Sequence, residues 1–155
     1  MKVGFGYDIH PLVKERPLIL GGIEIPHNKG LGGHSDADPV CHAIMDALLG
    51  GAALGDIGTH FPDTDDAYKN ISSTTLLMNV VEKVRQEGYN IVNIDVTIIA
   101  ESPRIGPYRS KIVSRLSELL NAQVSIKAKT NEGLGPEGRR EAISVYAVAC
   151  LEEST

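Results

Sequence analysis

Asp8 and His10 stand two residues apart in a run, residues 3–10 (VGFGYDIH), that alternates strictly. Val3, Phe5, Tyr7 and Ile9 fall on one face of an extended strand, and Gly4, Gly6, Asp8 and His10 on the other. A carboxylate and an imidazole on one face at this spacing suit two ligands of one ion. The plainer alternative is an ion pair at a surface. A further imidazole comes from residues 34–58 (HSDADPVCHAIMDALLGGAALGDIG), which hold two His and four Asp. Asp38, His42 and Asp46 are spaced by four and so share one face of a helix. That helix begins either at Ser35, with Asp38 three residues on, or at Asp38, with Pro39 at the first helical position. His42 lies near the positive end of its dipole, which disfavours the imidazolium and leaves the neutral form that ligates metals. Asp8, His10 and His42 make two imidazoles and one carboxylate, the donor set of a catalytic zinc site with one open position. Asp38 and Asp46 read as groups that orient a ligand or a substrate.

A second, harder ion such as Mg²⁺ takes one carboxylate plus phosphate oxygens. Glu132, closing the run Lys129-Thr130-Asn131-Glu132, is the best single residue for it. Thr130 and the amides of Gly133-Leu134-Gly135 suit a phosphate. Arg139 and Arg140 suit an anion or plain solvation. The connection 56–73 is long enough to be functional or disordered. Its Phe61-Pro62 reads as an anchor, and Asp63, Asp65 and Asp66 as a flexible acidic tip. The spacing of a calcium-binding loop, with its Gly and terminal Glu, is absent. These residues together support metal-assisted chemistry on a phosphate.

The elements that must position them fit one domain, residues 1–155. Net charge is −5 with no basic stripe, which argues against nucleic acid as a partner. An acidic protein that handles an anionic substrate needs local cations. Cys41 and Cys150 read as small core residues of a reducing compartment. No leader and no apolar run of about 18 residues is visible, so the expectation is a cytoplasmic protein without a membrane partner. Residues 16–26 form a hairpin about Gly21-Gly22, and 28–33 a glycine-rich loop. The first long helix runs to about Leu54. Leu76, Leu77, Val80, Val81 and Val84 stripe a second helix, capped by Ser72 or Ser73 and stopped at Gly88. A strand at 91–100 leads to a turn at 101–106. Pro107 opens a third helix, with Ile112, Val113, Leu116, Leu119 and Leu120 buried. Strand 123–130 precedes a second glycine-rich loop. Strand 143–151, apolar on both faces, reads as a covered central strand. The fold class is α+β, a mixed β-sheet with helices packed on one face. The other face is apolar too, and oligomerisation is the economical way to cover it.

Four motifs, GFGYDIHPL, GHSDADPVCHAIMDALLGGAALGDIGTHFPDTD, DVTIIAESPRI and IKAKTNEGLGPEGRREAI, span nearly the whole chain. They resemble those of the 2-C-methyl-D-erythritol 2,4-cyclodiphosphate synthases, lyases of non-mevalonate isoprenoid biosynthesis. The resemblance implies a homotrimer with sheets facing the threefold axis and active sites between subunits. It places zinc on Asp8, His10 and His42, and Mg²⁺ or Mn²⁺ with the substrate diphosphate on Glu132. It places phosphate contacts on His34 and Ser35, with His34 and Thr130 acting in the transition state. The methylerythritol phosphate portion falls on Asp56, Ile57, Gly58, Phe61, Pro62, Asp63, Thr64 and Asp65. The cytidine pocket falls on Ala100, Glu101, Ser102, Pro103, Arg104, Ile105 and Gly106, with Arg104 where a Lys is common. Lys129, Thr130, Asn131 and Arg139 complete the substrate contacts. Lys129 stands where the family commonly has Thr. Pro136 replaces a common aromatic and Arg140 a common Gly, where the family lines a central cavity. The implied reaction turns 4-diphosphocytidyl-2-C-methyl-D-erythritol 2-phosphate into the cyclic diphosphate and CMP. Two other readings are a zinc phosphohydrolase and a non-catalytic trimeric binding protein for a nucleotide or metal.

Overall fold

The computed structural model describes residues 1–155. In chain order it has β1 (Lys2–Val13), β2 (Leu18–Leu20), β3 (Ile23–Ile25), β4 (Gly30–Leu31), α1 (Pro39–Gly51), α2 (Ile57–His60), α3 (Ser73–Gln86), β5 (Tyr89–Ile99), α4 (Arg109–Leu120), β6 (Gln123–Lys129), α5 (Gly135–Gly138) and β7 (Ala142–Glu153). Five strands form one sheet in the order β4-β1-β7-β5-β6, and β2 and β3 form a separate hairpin. Only β5 and β6 run parallel among the pairs of the large sheet. A parallel pair needs a crossover, and α4 supplies it.

The helices cover one face of this sheet, as expected. Ile94, Val96 and Ile98 of β5 and Ile143, Val145, Ala147, Ala149 and Leu151 of β7 are buried beneath them. α1 presses closest, because β1 offers it glycines. A Cβ at Gly4 would lie 1.8 Å from the Ala47 carbonyl oxygen, and one at Gly6 1.9 Å from that of Ala43. Helix backbone therefore rests directly on strand backbone, a separation open only to Gly. The opposite face is bare within one chain. Val3 is 69% exposed, Phe5 61% and Val148 40%. The expected covered central strand is thus covered on one side only.

Local differences from the sequence reading have local causes. β1 runs on to Val13, because Leu12 and Val13 find partners in Leu31 and Gly30, inside what read as a loop. α1 starts at Asp38, which accepts the amides of Val40 and Cys41. It stops at Gly51 rather than Leu54, because Ala53 turns left-handed at φ 59° and the Leu54 amide folds back to the Leu49 carbonyl. β5 begins at Tyr89 and is bulged between Ile91 and Asn93. β6 ends at Lys129. Pro107 sits in a 3₁₀ turn, Gly106–Tyr108, that precedes α4. Within α4, Ile112, Leu116 and Leu120 are buried, and Val113 and Leu119 only partly so. The apolar stripe of α3 is buried as expected.

Candidate metal centre and cavity

Asp8 and His10 leave β1 on its glycine face, and the close seat of α1 sets His42 against them. His10 Nε2 lies 2.8 Å and His42 Nδ1 3.0 Å from Asp8 Oδ2, with the two ring nitrogens 3.2 Å apart. One ligand atom from each of the three lies within 4.8 Å of the others. His10 Nδ1 donates to the Gly32 carbonyl at 2.9 Å. A carbonyl only accepts, so the neutral ring keeps its lone pair on Nε2, facing the cluster. Burial pushes the Asp8 carboxyl up, but its bonds to His10 and His42 outweigh this and hold it below the ordinary carboxylate value. Burial works to lower the His10 imidazole, while the Asp8 bond and charge and the Gly32 carbonyl raise it, and the net movement is upward. The donor set and convergence fit a divalent cation, with one side open to the cavity above.

That cavity, about 510 Å³, is lined by Asp8, His10, His34, Ser35 and His42, and by Ile57, Gly58, Phe61, Pro62, Asp63 and Thr64. His34 Nε2 donates to the Asp65 carbonyl at 3.0 Å. The guanidinium of Arg16 donates to the carbonyls of Gly33 and Ser35 at 3.3 and 2.9 Å and so fixes the chain around His34. Residues 56–73 are ordered by their own acids. Asp56 caps α2, accepting both the amide and the hydroxyl of Thr59 at 2.9 Å. Asp65 caps a 3₁₀ turn at Asp66–Tyr68, and Phe61 meets Tyr68 edge-on at 5.4 Å.

Of the two acids expected to orient a ligand or substrate, Asp38 is spent on the fold and Asp46 holds the cavity loop. Asp38 is fully buried and accepts the amides of Gly21 at 2.9 Å and Gly22 at 2.7 Å as well as its own cap amides. It ties the β2–β3 turn to the start of α1, and its carboxylate bonds no residue of the cluster or of the cavity lining. Asp46 accepts the Ile57 amide at 2.8 Å and so holds the cavity loop to α1. Burial raises the Asp46 carboxyl despite that bond.

The remaining site residues form a second group at the same end of the sheet. Ile9 of β1 and Ile99 of β5 both pair with Ser144 of β7, so the two groups stand about two strand spacings, roughly 9.5 Å, apart at the backbone. The Ala100 amide donates to the Lys129 carbonyl at 3.0 Å, and the amides of Asn131 and Gly133 donate to Glu101 at 2.9 and 3.3 Å. Glu101 thus ties the loop after β6 to the turn after β5. Arg104, Lys129, Thr130 and Glu132 are exposed, with Glu132 in left-handed backbone at φ 52°. Ser102, Pro103 and Ile105 lie in the turn between, and Gly106 opens the 3₁₀ turn. Arg139 pairs with Glu141 at 3.0 and 3.3 Å. None of these residues lines the cavity of the Asp8 cluster.

Several supporting residues escaped the sequence reading. Arg16 carried no pattern. Glu137, which accepts from Ser144 at 2.7 Å and Asn131 at 3.1 Å, was one more acid in a glycine-rich loop. Asp36 and Ser73, which meet behind His42, sit far apart in the chain.

The chain matches the YgbB family over residues 1–152. It is 59% identical, over 98% of its length and 100% of the relative's, to a 2-C-methyl-D-erythritol 2,4-cyclodiphosphate synthase of Desulfatibacillum aliphaticivorans. A solved structure of a 2C-methyl-D-erythritol-2,4-cyclodiphosphate synthase in its CDP-bound form superposes with a TM-score of 0.90 at 34% identity, covering 97% of this chain and 100% of that one. The bifunctional IspDF of Campylobacter jejuni superposes with a TM-score of 0.94 at 38% identity, over 98% of this chain and 42% of that longer one. In sequence and in the five-stranded sheet with its one-sided helices, the chain belongs to the YgbB family.

Proposed function

We propose that this protein is a cyclodiphosphate synthase, a phosphorus–oxygen lyase of isoprenoid precursor biosynthesis. It takes 4-diphosphocytidyl-2-C-methyl-D-erythritol 2-phosphate to 2-C-methyl-D-erythritol 2,4-cyclodiphosphate and CMP. The observation that carries the reading is the convergence of Asp8, His10 and His42 at the floor of a cavity, in a chain 59% identical to a synthase of that name.

The reacting oxygen and phosphorus belong to one molecule. An oxygen of the 2-phosphate forms a bond to the β-phosphorus, and the bond from that phosphorus to the CMP oxygen breaks. No protein nucleophile is needed, and positioning with charge neutralisation supplies the rate. Asp8, His10 and His42 would hold Zn²⁺, and Glu132 would hold Mg²⁺ or Mn²⁺ through its exposed carboxylate. Bound there, the cations would neutralise charge on the two reacting phosphates. Ser35 presents a hydroxyl to phosphate oxygens from one side, with His34 beside it turning its Nε2–H from the Asp65 carbonyl to bond them, and Thr130 presents a hydroxyl from the other. Asp56, Ile57, Gly58 and residues 61–65 form the wall that orients the methylerythritol. Ala100 to Gly106 take the cytidine, with Lys129, Asn131 and Arg139 beside the diphosphate.

The reading includes a homotrimer, in which the second group of one subunit faces the cavity of the next. Two observations support it: the bare apolar face of β1 and β7, and the absence of residues 100–106 and 129–132 from the cavity lining within one chain. It treats residues 1–155 as one domain, supported by a core continuous from Leu18 to Leu151. No helix is long and apolar enough to cross a membrane. The two free thiols, Cys41 and Cys150, support a cytoplasmic site of action.

Phosphorus NMR of the protein with the cytidine substrate tests the reading. The expected outcome is a cyclic diphosphate with CMP. A linear phosphate product would replace it with a hydrolase, and binding without turnover with a non-catalytic protein.

A further inference from the structure

His42 has a rear as well as a front. Its Nδ1 faces Asp8, and its Nε2 meets Ser73 Oγ at 2.9 Å and, less closely, Ser35 Oγ at 3.2 Å. Ser73, the first residue of α3, is fully buried. Its hydroxyl bonds Asp36 Oδ1, and its amide donates to Asp36 Oδ2 at 3.0 Å. An ionised carboxylate only accepts, so the single hydroxyl proton of Ser73 is committed to Asp36. The Ser73 oxygen then offers His42 a lone pair, and His42 must donate from Nε2. The lone pair of the neutral ring is left on Nδ1, aimed at the metal cluster.

We infer that Asp36 and Ser73 are positioning residues that lock His42 in the Nε2–H tautomer and so prepare Nδ1 to ligate metal. The inference rests on the reading of Asp8, His10 and His42 as metal ligands. It gives His42 what the Gly32 carbonyl gives His10: an acceptor behind the ring that sets which nitrogen faces the ion. It also accounts for a missing cap. Ser72 stands at the cap position of α3 without accepting a helix amide, and Asp36 satisfies the Ser73 amide from another segment. One carboxylate thus fastens α3 and, through the hydroxyl, orients the ring. Ser35 cannot replace Ser73, because its hydroxyl has no carboxylate to hold its proton and is free to donate to or accept from His42.

The test separates orientation from simple fastening. Ser73→Ala and Asp36→Asn are compared with wild type and with Ser72→Ala, whose hydroxyl pairs with Thr74. Zn²⁺ affinity is measured against a competing chelator, and the His42 tautomer by ¹⁵N NMR of the metal-free protein. Wild type is expected to carry the proton on Nε2. Asp36→Asn turns a side-chain N–H toward Ser73, frees the hydroxyl to donate to His42 and moves the ring proton to Nδ1. Ser73→Ala leaves the ring a mixture. Both lose roughly 10–100-fold in Zn²⁺ affinity, and Ser72→Ala loses none. Weaker binding with an unchanged tautomer would reduce the pair to fastening and overturn the inference, as would wild-type behaviour in both variants. Should wild type itself bind no Zn²⁺, the metal reading fails, while the tautomer still decides the role of Asp36 and Ser73. If one variant does not fold by circular dichroism, the other carries the test.

Discussion

The Asp8 cluster and the group at the ends of β5 and β6 are built in opposite ways. In the first, each imidazole has a bonded partner behind it, and the three ligands are held from β1 and α1. In the second, backbone amides are tied down through Glu101, while Arg104, Lys129, Thr130 and Glu132 extend into open space. Folding of one chain completes the first group. The second is a fixed backbone with free side chains, a form suited to closing on something brought to it. A site made of both divides its work: one half stores geometry before substrate arrives, and the other gains it on binding.

The sharpest way to break the first half is through β1. Gly6→Ala drives a Cβ into the Ala43 carbonyl, where only backbone can yield. The expected loss is about 3 kcal/mol or more in urea unfolding, with metal binding lost even where the chain stays folded. His42→Ala is the milder attack. It should abolish stoichiometric Zn²⁺ by elemental analysis while secondary structure and oligomeric state persist, and full zinc occupancy would remove His42 from the ligand set. Glu132→Gln strikes the other half. Turnover should fall on the order of 10²-fold with zinc content unchanged. Mixing His42→Ala with Glu132→Gln subunits after dissociation should restore part of the activity if the halves come from different chains, and none if one chain supplies both. Asp46→Ala frees the Ile57 amide, at an expected cost of about 1.5–3 kcal/mol for a bond to a charged group, together with a raised KM.

The smallest effect is a pH dependence of the metal-free protein. Asp8 is depressed below 3.8 and His10 raised above 6.5. The stability from Asp8 is present above 3.8 and is lost as pH falls through its lower folded value. That from His10 is present below 6.5 and is lost as pH rises through its higher folded value. Thermal melts of the metal-free protein should therefore carry this contribution in full between pH 3.8 and 6.5, and Asp8→Asn should flatten both limbs. Added Zn²⁺ competes with those protons, so its stabilisation should grow as pH rises through the same range.

The halves were not equally legible in the sequence. Period-two alternation placed Asp8 and His10 on one face of β1, and the Asp38-Pro39 pair offered the start that α1 adopts. Those signals are local. The split of the remaining residues away from the cavity depends on strand order, which a pattern along the chain does not carry. The role of Asp38 was hidden for a related reason. Spacing by four put Asp38 and Asp46 on the His42 face, but a helix face is wide: the β2–β3 turn takes up the Asp38 carboxylate, while that of Asp46 holds Ile57 of the cavity loop. Asp36 and Ser73 stayed invisible because their pairing spans 37 residues of chain.

The place of β7 decides how the two groups are joined. It lies between β1 and β5 in the sheet, yet it is the last strand along the chain. Lys2 pairs with Leu151, and Tyr89 with Glu153. The strands that carry the two groups therefore meet in the sheet only through β7. Without it, β1 and β5 would each lack a neighbour along one edge. The relative register of the two groups in the sheet is set by β7, through pairings far apart in sequence, so a slip of that strand would displace one group against the other.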